Sequence, residues 1–490
     1  MNYLSLDVGT TCCKCQLFSD KGEILEYKNT EYPLKQAEGE LYVDIAAIRG
    51  RVFSMISEVA AKREVSSVCI STFGESFVLL DKNDEILFDP MLYTDARGAE
   101  QAEMISEKFT NEYLFQNLGS LPQSLFSVSK LLWLKQNRPE IFARADKAML
   151  ICDYLGYLLT GERVIDYALA SRTGAFHIGK LTFDEDFLNE LGVPVSLFST
   201  PMPTGSIVGM IKKRVAKDLG LSERCMLVLG SHDQICAALG AGVVKEGDAV
   251  DGMGTVECIT TVFSKKPSDC TMGEQGYPCV PYAVKGLYCT YMFNYSNGSL
   301  VSWFKDELLH GYRGNEENFF SYIEKDMKRA PTGILTLPYF GGAATPYQNI
   351  HAKGAILNLT LRATDRDVYR SVMEGTAMEM RLNLETASAY GIKVTGATAT
   401  GGGANSGLWL QAKADIENIP FRTLRSSEGG LCGCAMLQSV AMGQFADFEE
   451  AAKLFVQYRE EFFPDADVHA AYEEQYSKYK KLYQTLKEFY

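Results

Sequence analysis

The sequence contains no long run of apolar residues. A helix that crosses a bilayer needs about 20 consecutive, mostly apolar residues, and no segment of the 490-residue chain approaches that length. The first residues lack the pattern of a secretory signal peptide and pass directly into a strand-like segment. The sequence therefore excludes a membrane-spanning protein, and we expect a location in the cytoplasm.

The sequence also lacks an excess of positive charge. It has 48 Lys and Arg against 62 Asp and Glu, which gives a formal net charge of -14. Nucleic acids and anionic membranes bind positively charged surfaces, so neither is expected as the main partner. A phosphate group on a small ligand is still compatible with this charge, because backbone N–H groups and a metal ion can hold it.

Cysteine is frequent, but the pattern of a zinc site is missing. Cys12 and Cys15 form a C-x-x-C pair, yet no second Cys or His pair follows at zinc spacing. Most of the 13 cysteines stand in apolar segments, which is typical of reduced thiols that fill a core. We expect Cys12 and Cys15 to pack within a strand, and a redox dithiol is the alternative.

Length and composition predict a globular α/β protein of two to four domains, because 46% of the 490 residues are hydrophobic and 22% are charged. The chain opens with strand patterns at 3–8 and 13–18 and in "EILEYKNTEY", followed by a helix over 44–63. "SSVCISTF" and "SFVLLD" then predict two further strands. This order places a crossover helix after an antiparallel meander.

Two predictions concern the second half of the chain. The pattern over 365–388 predicts a long helix, with Thr364 as its N-cap and Asp367 three residues further on. The last 45 residues, 446–490, are charged and rich in tyrosine, which favours a helical tail. We expect this tail to be a solvated amphipathic helix.

The opening pattern occurs a second time. "DAVDGMGTVECITTVFS", residues 248–264, again gives a strand, a Gly-Thr turn and a second strand. Such a repeat suggests two copies of one domain. We predict a boundary near Gly242–Gly247, with an N-terminal domain over 1–243 and a C-terminal domain over 244–490.

The repeated turns could bind phosphate. Gly9, Thr10 and Thr11 in the first turn, and Gly254 and Thr255 in the second, would present backbone N–H groups and hydroxyls in a tight loop. Two such turns facing across a cleft could hold the phosphates of a nucleotide from both sides. The alternative is a pair of ordinary hairpins, in which Thr is present only because it favours β-strands.

Two aspartates suit this hypothesis. Asp7 precedes the first turn, and a carboxylate beside phosphates requires a cation, which points to Mg²⁺. Asp233 in "GSHDQ" lies where a strand meets a helix, and it would act as a general base toward a substrate hydroxyl. An N-cap role for Asp233 and a base role for His232 are the alternatives.

A glycine-rich segment, "TATGGGANSG" at 398–407, is a candidate for the adenosine site. Gly402 and Gly403 would let the backbone approach the nucleoside. It is a poor dinucleotide-binding motif because it comes late in the chain, and the expected acidic residue is not clearly placed. The alternative role of these glycines is close packing of a helix on a strand.

Several segments together resemble the FGGY family of carbohydrate kinases over nearly the whole chain. The resemblance implies two actin/hexokinase-like, ribonuclease H-like ATPase domains flanking a deep cleft. It also implies ATP-dependent phosphorylation of a hydroxyl group on a small sugar or polyol, with a ketopentose such as xylulose as the expected acceptor. The matching segments are "DVGTT" (7–11), "FSVSKLLWLKQNRPE" (126–140), "IDYALASRTGAF" (165–176), "KGAILNLTLRATDRDVYRSVMEG" (353–375) and "GGGANSGLWLQAKADIENIPF" (401–421).

The resemblance also implies roles for individual residues. Asp233 matches the family's catalytic base, and Asp7 matches its metal-associated aspartate, which would bind Mg²⁺ through water. Lys14 stands where many relatives have an arginine near phosphate, and Gly74 stands where glycerol kinases have a substrate-binding arginine. The residues expected to bind sugar are Glu75, Ser76, Asp95 and Gln234, and those expected to bind ATP in the C-terminal half are Gly402, Gly403 and Asn405.

Two other functions remain as alternatives. The same architecture serves ATPases that phosphorylate no small molecule, and a sugar-binding regulator could descend from a kinase. The K-L-x-W-L segment speaks against the first alternative, and the retained Asp7 and Asp233 speak against the second. The residues leave open which sugar is used and whether the protein forms a homodimer.

Overall fold

The computed structural model describes residues 1–37, 39–309, 319–325, 327–426 and 428–490. Two large mixed β-sheets, one from each half of the chain, form its framework, and helices pack against both. Within the described residues, no helix combines the length and the apolar character needed to cross a membrane.

The first half of the chain alternates short strands with helices. Its strands are β1 Asn2–Val8, β2 Cys12–Ser19, β3 Ile24–Glu31, β4 Lys35–Ala37, β5 Glu40–Tyr42, β6 Ser67–Thr72, β7 Phe77–Leu80, β8 Ile86–Phe88, β9 Lys147–Leu150, β10 Val164–Asp166, β11 Phe176–His177, β12 Thr182–Phe183, β13 Thr200–Met202, β14 Ile207–Met210 and β15 Met226–Val228. Its helices are α1 Ile45–Ala60, α2 Ala99–Lys108, α3 Asn111–Leu118, α4 Ser127–Asn137, α5 Pro139–Phe142, α6 Ile151–Thr160, α7 Tyr167–Ser171, α8 Glu185–Leu191, α9 Lys213–Leu219 and α10 Asp233–Gly240.

The second half has fewer strands and longer helices. Its strands are β16 Asp248–Met253, β17 Glu257–Phe263, β18 Val280–Pro281, β19 Tyr288–Asn294, β20 Leu335–Leu337, β21 Ala355–Leu357, β22 Gly396–Thr400, β23 Phe421–Leu424 and β24 Tyr458–Phe462. Its helices are α11 Thr271–Glu274, α12 Gly298–Trp303, α13 Phe319–Ile323, α14 Asp365–Ala389, α15 Gly407–Glu417, α16 Gly429–Ala441, α17 Phe448–Phe455 and α18 Ala466–Leu486.

The two large sheets have the same strand order around their centres. The first has the order β14-β15-β6-β1-β2-β3, and the second has the order β24-β23-β22-β16-β17-β19-β18. β1 lies antiparallel to β2 and parallel to β6, and β16 likewise lies antiparallel to β17 and parallel to β22. The turns at Gly9 and Gly254 therefore occupy equivalent positions, and the duplicated α/β architecture predicted from residues 248–264 is confirmed.

β1 is mostly buried because both of its faces are covered. Leu4, Leu6 and Val8 pack into a core that includes the buried face of α1. Tyr3, on the other face, belongs to a core that contains residues of α10 and α16. A strand buried on both faces has a continuous apolar sequence, and Asp7, which interrupts it, is only partly buried.

Helices α10 and α16 cross where the two halves of the chain meet. Although α16 follows the second sheet in sequence, it packs on β1 and β6 of the first, and Ser67 on β6 donates a hydrogen bond to Gln438 at 2.8 Å. A Cβ on Gly433 would lie 2.0 Å from the carbonyl oxygen of Cys236, and one on Gly240 would lie 1.9 Å from that of Gly429. The two helix backbones are therefore in direct contact, and a side chain at either position would collide with the opposite helix.

Other elements agree with the sequence predictions in part. Helix α14 begins at a capping box formed by Thr364 and Asp367, as predicted. "SFVLLD" forms the strand β7, but this strand belongs to a separate three-stranded sheet with β8 and β9. All thirteen cysteines are free and ten of them are buried, which agrees with their expected place in the core.

The predicted solvated tail is wrong in one respect. Residues 446–490 contain α17, the edge strand β24 and the long helix α18. On α18, Tyr472, Tyr476 and Tyr479 are buried, and Tyr479 donates a hydrogen bond to Glu379 of α14 at 2.6 Å. The helix is thus amphipathic as predicted, but its tyrosine face packs against α14 and α15 and is not solvated.

Candidate active site

A cavity of about 480 Å³ opens between the two halves of the chain. The first half contributes Glu75, Arg172 and Asp233 to its wall, and the second half contributes mainly aromatic and small residues, among them Tyr277 and Tyr291. Its volume and mostly apolar lining, with a few converging polar groups, are typical of a site for a small molecule.

Asp233 is the first residue of α10 and lines this cavity. The loop that leads to it lies directly on β6, because a Cβ on Gly230 would be 1.8 Å from the carbonyl oxygen of Ile70. The Asp233 side chain is 36% exposed, and its Oδ1 accepts the N–H of Gln234 at 2.6 Å. The N-cap of α10 is His232, so the carboxylate of Asp233 is not a helix cap.

The surroundings of Asp233 favour a carboxylate that can accept a proton. Burial among protein atoms raises its pKa to about 6, against the opposing effects of the Gln234 N–H and the charge of Arg172. His232 Nε2 lies 3.3 Å from Asp233 Oδ1, and burial lowers the pKa of His232 to about 4. The imidazole is therefore neutral near pH 7, and the aspartate is the better base.

Asp7 provides a second carboxylate close to the first. Burial, and then the charge of Asp233, raise the pKa of Asp7 to about 6. Ser71 donates a hydrogen bond to Asp7 Oδ1 at 3.1 Å. Gly430, at the start of α16, is so near that a Cβ there would lie 3.3 Å from Asp7 Cγ. Because the two carboxylates repel each other, a cation bound beside them would stabilise both in the ionised form.

The first hairpin turn carries three of the predicted phosphate-binding residues. The N–H of Gly9 donates to the carbonyl of Cys12 at 2.8 Å, and the hydroxyl of Tyr32 donates to the carbonyls of both residues. These bonds fix the turn. Thr10 and Thr11 lie between them, half-buried and exposed respectively, so their polar groups can reach a ligand.

Lys14, on the adjoining strand β2, is paired with a carboxylate from the other half of the chain. Its Nζ lies 3.0 Å from Glu428, which immediately precedes α16, and Tyr27 also donates to Glu428 at 3.3 Å. Burial opposes the charge on Lys14, but the hydrogen bond and charge of Glu428 outweigh it and raise the pKa of Lys14. Lys14 is therefore a fixed positive charge on the strand that follows the first turn.

The second hairpin turn lies beside the predicted adenosine loop. The N–H of Gly298, the first residue of α12, donates to the carbonyl of Gly254 at 2.9 Å, and Thr255 is adjacent. A Cβ on Gly401 would lie 2.7 Å from the carbonyl oxygen of Met253. The structure thus brings together two segments that are far apart in sequence and that were both predicted to bind the nucleotide.

The glycines of this loop serve different purposes. Gly402, Gly403 and Asn405 lie in a 3₁₀ turn after β22. A Cβ on Gly403 would be 2.9 Å from the Cβ of Met253, so close packing requires glycine there. A Cβ on Gly402 would meet no atom within 4 Å, and Asn405 is exposed. Gly402 therefore leaves its backbone open to a ligand.

A buried charge cluster lies beneath the second hairpin. Lys413 Nζ is within 3.1 Å of Asp251, 2.8 Å of Glu257 and 2.7 Å of Glu417, and all four side chains are fully buried. Burial raises the pKa of Glu257 to about 7 and that of Glu417 to about 8. Because Asp251 and Glu257 flank the turn, the cluster ties both hairpin strands to helix α15. Sequence analysis did not predict it.

The predicted sugar-binding residues fall into two groups. Glu75 and Gln234 line the cavity, whereas Ser76 is buried behind it and its hydroxyl has no hydrogen-bond partner among the described residues. Glu75 forms an ion pair with Arg172, whose Nε donates to Glu75 Oε1 at 2.5 Å. Sequence analysis missed Arg172 as a site residue, although the segment "IDYALASRTGAF" contained it.

Asp95 is not among the residues that line the cavity. Its carboxylate oxygens accept hydrogen bonds from Nε and Nη2 of Arg97 at 2.7 and 2.9 Å, and one of them also accepts the N–H of Leu41 at 2.8 Å. These bonds use both oxygens for a structural ion pair. Asp95 therefore does not line the cavity with Glu75 and Asp233, and its role in sugar binding stays a prediction.

These features define a class of protein. Two sheets of the same order each carry a glycine–threonine turn at the same position, and the cavity between them is lined by Asp233, whose charge also acts on Asp7. This is the two-domain ATPase fold of actin and hexokinase, here with a cavity for a small molecule. Phosphotransferases with an alcohol group as acceptor are one class of enzyme that is built on this fold.

The chain belongs to the FGGY family of carbohydrate kinases. The family's N-terminal domain matches residues 2–240, and its C-terminal domain matches residues 253–442. The protein is therefore an ATP-dependent kinase that acts on a small sugar. The resemblance inferred from the sequence motifs is confirmed, and the alternative of an ATPase without small-molecule phosphorylation is not supported.

Related proteins cover the full length of the chain. The xylulose kinase of Bacillus subtilis is 26% identical over 98% of this chain and 96% of its own length, and the gluconokinase of the same organism is 25% identical over 92% and 90%. A solved xylulose kinase from Rhodospirillum rubrum superposes with a TM-score of 0.92 at 22% identity, over 100% of this chain and 99% of its own. At that identity, the structural similarity supports the fold alone.

Proposed function

We propose that this kinase transfers the γ-phosphate of ATP to a hydroxyl group of a neutral ketose such as xylulose, with Asp233 as the general base. One observation carries the proposal: the Asp233 carboxylate opens into the cavity between the two halves and has a pKa raised to about 6. A base with a pKa slightly below working pH is mostly ionised and still accepts a proton readily.

In the proposed reaction, Asp233 Oδ takes the proton of the sugar hydroxyl while that oxygen attacks the γ-phosphorus. The new O–P bond forms as the bond to the leaving ADP oxygen breaks. Neutral His232, 3.3 Å from Oδ1, orients the carboxylate. The hairpin turns at Gly9 and Gly254 would hold the phosphates, and the Gly402 loop would hold the adenosine, so that closure of the cleft excludes water.

The residues present fit a magnesium ion. Asp7 and Asp233 raise each other's energy by repulsion, and Asp7 Oδ2 has no hydrogen-bond partner among the described residues. Among those residues, no group of three or more His, Cys, Asp or Glu side chains is placed to bind a metal ion. Asp7 would therefore hold Mg²⁺ through water, together with the phosphates, whose charge the ion reduces when bound.

The charges of the cavity favour a neutral substrate. Arg172 is the cation among the described residues that line it, and Glu75 is already paired with Arg172 through Oε1. Asp233 adds a further negative charge. A sugar acid such as gluconate is the second candidate, because one relative is a gluconokinase and Arg172 could attract a carboxylate. Repulsion from Glu75 and Asp233 disfavours it.

A substrate panel tests this proposal. Sugar-dependent ADP release would be measured with Mg²⁺ over ketopentoses, other ketoses, aldoses, polyols and gluconate. We expect a large rise with one neutral ketose and little with gluconate, and no rise when Mg²⁺ is omitted. A rise with gluconate alone would contradict the neutral-substrate proposal, and ADP release indifferent to every sugar would contradict the kinase reaction itself.

The raised pKa values predict an acidic limb in the pH profile. Asp233 must be ionised to accept a proton, so activity should fall as pH drops through about 6, where Asp233 and Asp7 both become protonated. We expect log kcat/KM for MgATP, which reports the enzyme without bound Mg²⁺, to fall with decreasing pH with a slope between 1 and 2, because both carboxylates become protonated in this range. A profile that stays flat to pH 5 would contradict this assignment.

We also propose the division of the chain into domains at 1–243 and 244–490. The family matches end at residue 240 and resume at 253, and each large sheet falls on one side of the division. Helix α16 belongs to the second part by sequence but packs on the first sheet. A cytoplasmic location and a homodimer stay predictions.

A further inference from the structure

Arg172 is a largely buried cation in the wall of the cavity that takes no part in the proposed proton transfer. It caps the C-terminal end of helix α7, and its side chain is 16% exposed. Nε and Nη2 both contact Glu75 Oε1, and the guanidinium lies 5.3 Å from the ring centre of Phe126. The guanidinium of Arg172 is thus held by Glu75 on one side and by the ring of Phe126 on another, which fixes its orientation toward the cavity.

The ion pair leaves one donor and one acceptor unused. Nη1 of Arg172 and Oε2 of Glu75 form no hydrogen bond with the described residues. Neither atom is fully buried, so both can still accept a partner. Both residues line the cavity. A ligand in the cavity would therefore meet a guanidinium N–H and a carboxylate oxygen side by side.

The side chain of Arg172, at the end of α7, fills the space beside Glu75. A Cβ on Gly74 would lie 3.3 Å from Cβ and Cγ of Arg172 and 3.2 Å from Cδ2 of His232. The absence of a side chain at Gly74 thus gives room for the stem of Arg172. The guanidinium reaches Glu75 from a residue 97 positions further along the chain.

The backbone at Glu75 is also held in an uncommon conformation. Its φ is +61°, which a residue with a side chain rarely adopts. The N–H of Ser76 donates to the carbonyl of Gly74 at 2.7 Å, and Ser127 donates to the carbonyl of Glu75 at 2.6 Å. These bonds hold the strained turn and point the carboxylate at Arg172. Strain of this kind is typical of binding sites.

We propose that Arg172 and Glu75 together bind two neighbouring hydroxyl groups of the sugar and that Arg172 determines which hydroxyl pattern is accepted. Nη1 of Arg172 donates to one hydroxyl oxygen, and the other hydroxyl donates to Oε2 of Glu75. This inference rests on the proposed function, because it needs the sugar to occupy this cavity. Removing one hydroxyl from the substrate leaves a polar group of the closed site without a partner, which such a site penalises strongly.

The test combines substitutions in the protein with deletions in the sugar. The neutral sugar that the wild type phosphorylates best would be compared with each of its monodeoxy analogues, for the wild type, Arg172→Gln and Arg172→Lys. For the wild type, we expect one analogue to lose about 100-fold or more in kcat/KM. In Arg172→Gln, the parent sugar should lose a similar factor, mostly in KM, and the discrimination against that analogue should shrink to below about fivefold.

A matched control separates binding from stability. Arg370 is a buried arginine that also pairs with a glutamate, Glu374, at 3.3 Å and lies outside the cavity. Arg370→Gln should lower the melting temperature and leave the discrimination unchanged. Arg172→Lys keeps the charge but loses the forked geometry, so it should retain folding and still lose discrimination.

Each outcome is decisive. An Arg172→Gln or Arg172→Lys enzyme that discriminates among the analogues as the wild type does would overturn the inference and leave the proposed function intact. A wild type that phosphorylates no neutral sugar would overturn both. If Arg172→Gln does not fold, the lysine variant and Glu75→Gln, measured on the same analogues, decide the question.

Discussion

Replacing Asp233 with Asn should lower kcat by about 10²–10⁴-fold, the usual contribution of a general base. Asparagine has nearly the same shape but does not accept a proton near neutral pH. The Michaelis constant for ATP should change by no more than about twofold, because the predicted ATP loops at Gly254 and Gly402 belong to other elements. The measurement is coupled ADP release at saturating sugar, with the melting temperature as a check on folding.

Asp365→Asn is the matched control for this substitution. Asp365 is likewise the first residue of a helix, α14, and its Oδ1 accepts the N–H of Arg366 at 2.8 Å as Asp233 accepts that of Gln234. It is exposed and lies outside the cavity, so kinetics should not change. Near-normal turnover in Asp233→Asn would refute the assignment of the base, and an equal loss in Asp365→Asn would show that the effect is structural.

Replacing Gly433 with Ala should destabilise the protein, although it adds only one methyl group. The added Cβ would lie 2.0 Å from the carbonyl oxygen of Cys236, a backbone atom that cannot rotate away. Overpacking of this kind costs about 1–3 kcal/mol, or roughly 2–12 °C in melting temperature for a domain of this size. Because α16 and α10 join the two halves, we also expect a lower kcat.

Gly50→Ala is the control for the glycine substitution. Gly50 lies within α1, and a Cβ there would meet no atom within 4 Å. Alanine is the better helix former by about 1 kcal/mol, so this variant should be equally or more stable. A Gly433→Ala protein that melts and turns over like the wild type would contradict the close crossing of α10 and α16.

Much of the candidate site could be predicted from short segments. The strand that ends beside Asp7, the turn at Gly9 and its repeat at Gly254 are local patterns, because one strand and one turn need only adjacent residues. Asp233 was also found locally, from a strand followed by a helix. These predictions hold as secondary structure, and the roles of the residues still await the kinetic tests.

Contacts between distant segments could not be predicted. Arg172 and Glu75 are 97 positions apart, and only the tertiary structure brings them together, by placing the residue that follows α7 beside Gly74 in the β6–β7 turn. Asp95 was expected in the sugar site, but its oxygens accept hydrogen bonds from Arg97 and Leu41. The tail that contains α18 was expected to be a solvated amphipathic helix, because periodicity alone does not say which partner covers a face.

The sequence by itself determined the family, the duplicated α/β pattern and the two candidate carboxylates, since each can be recognised from adjacent residues and from their repeat. Only the tertiary structure decided that α16 crosses back onto the first sheet, that Gly402 is open while Gly403 is packed, and that the guanidinium of Arg172, at the end of α7, lies beside Glu75. The physical reason is that a contact between distant residues depends on how whole elements pack, which periodicity and turn chemistry do not specify.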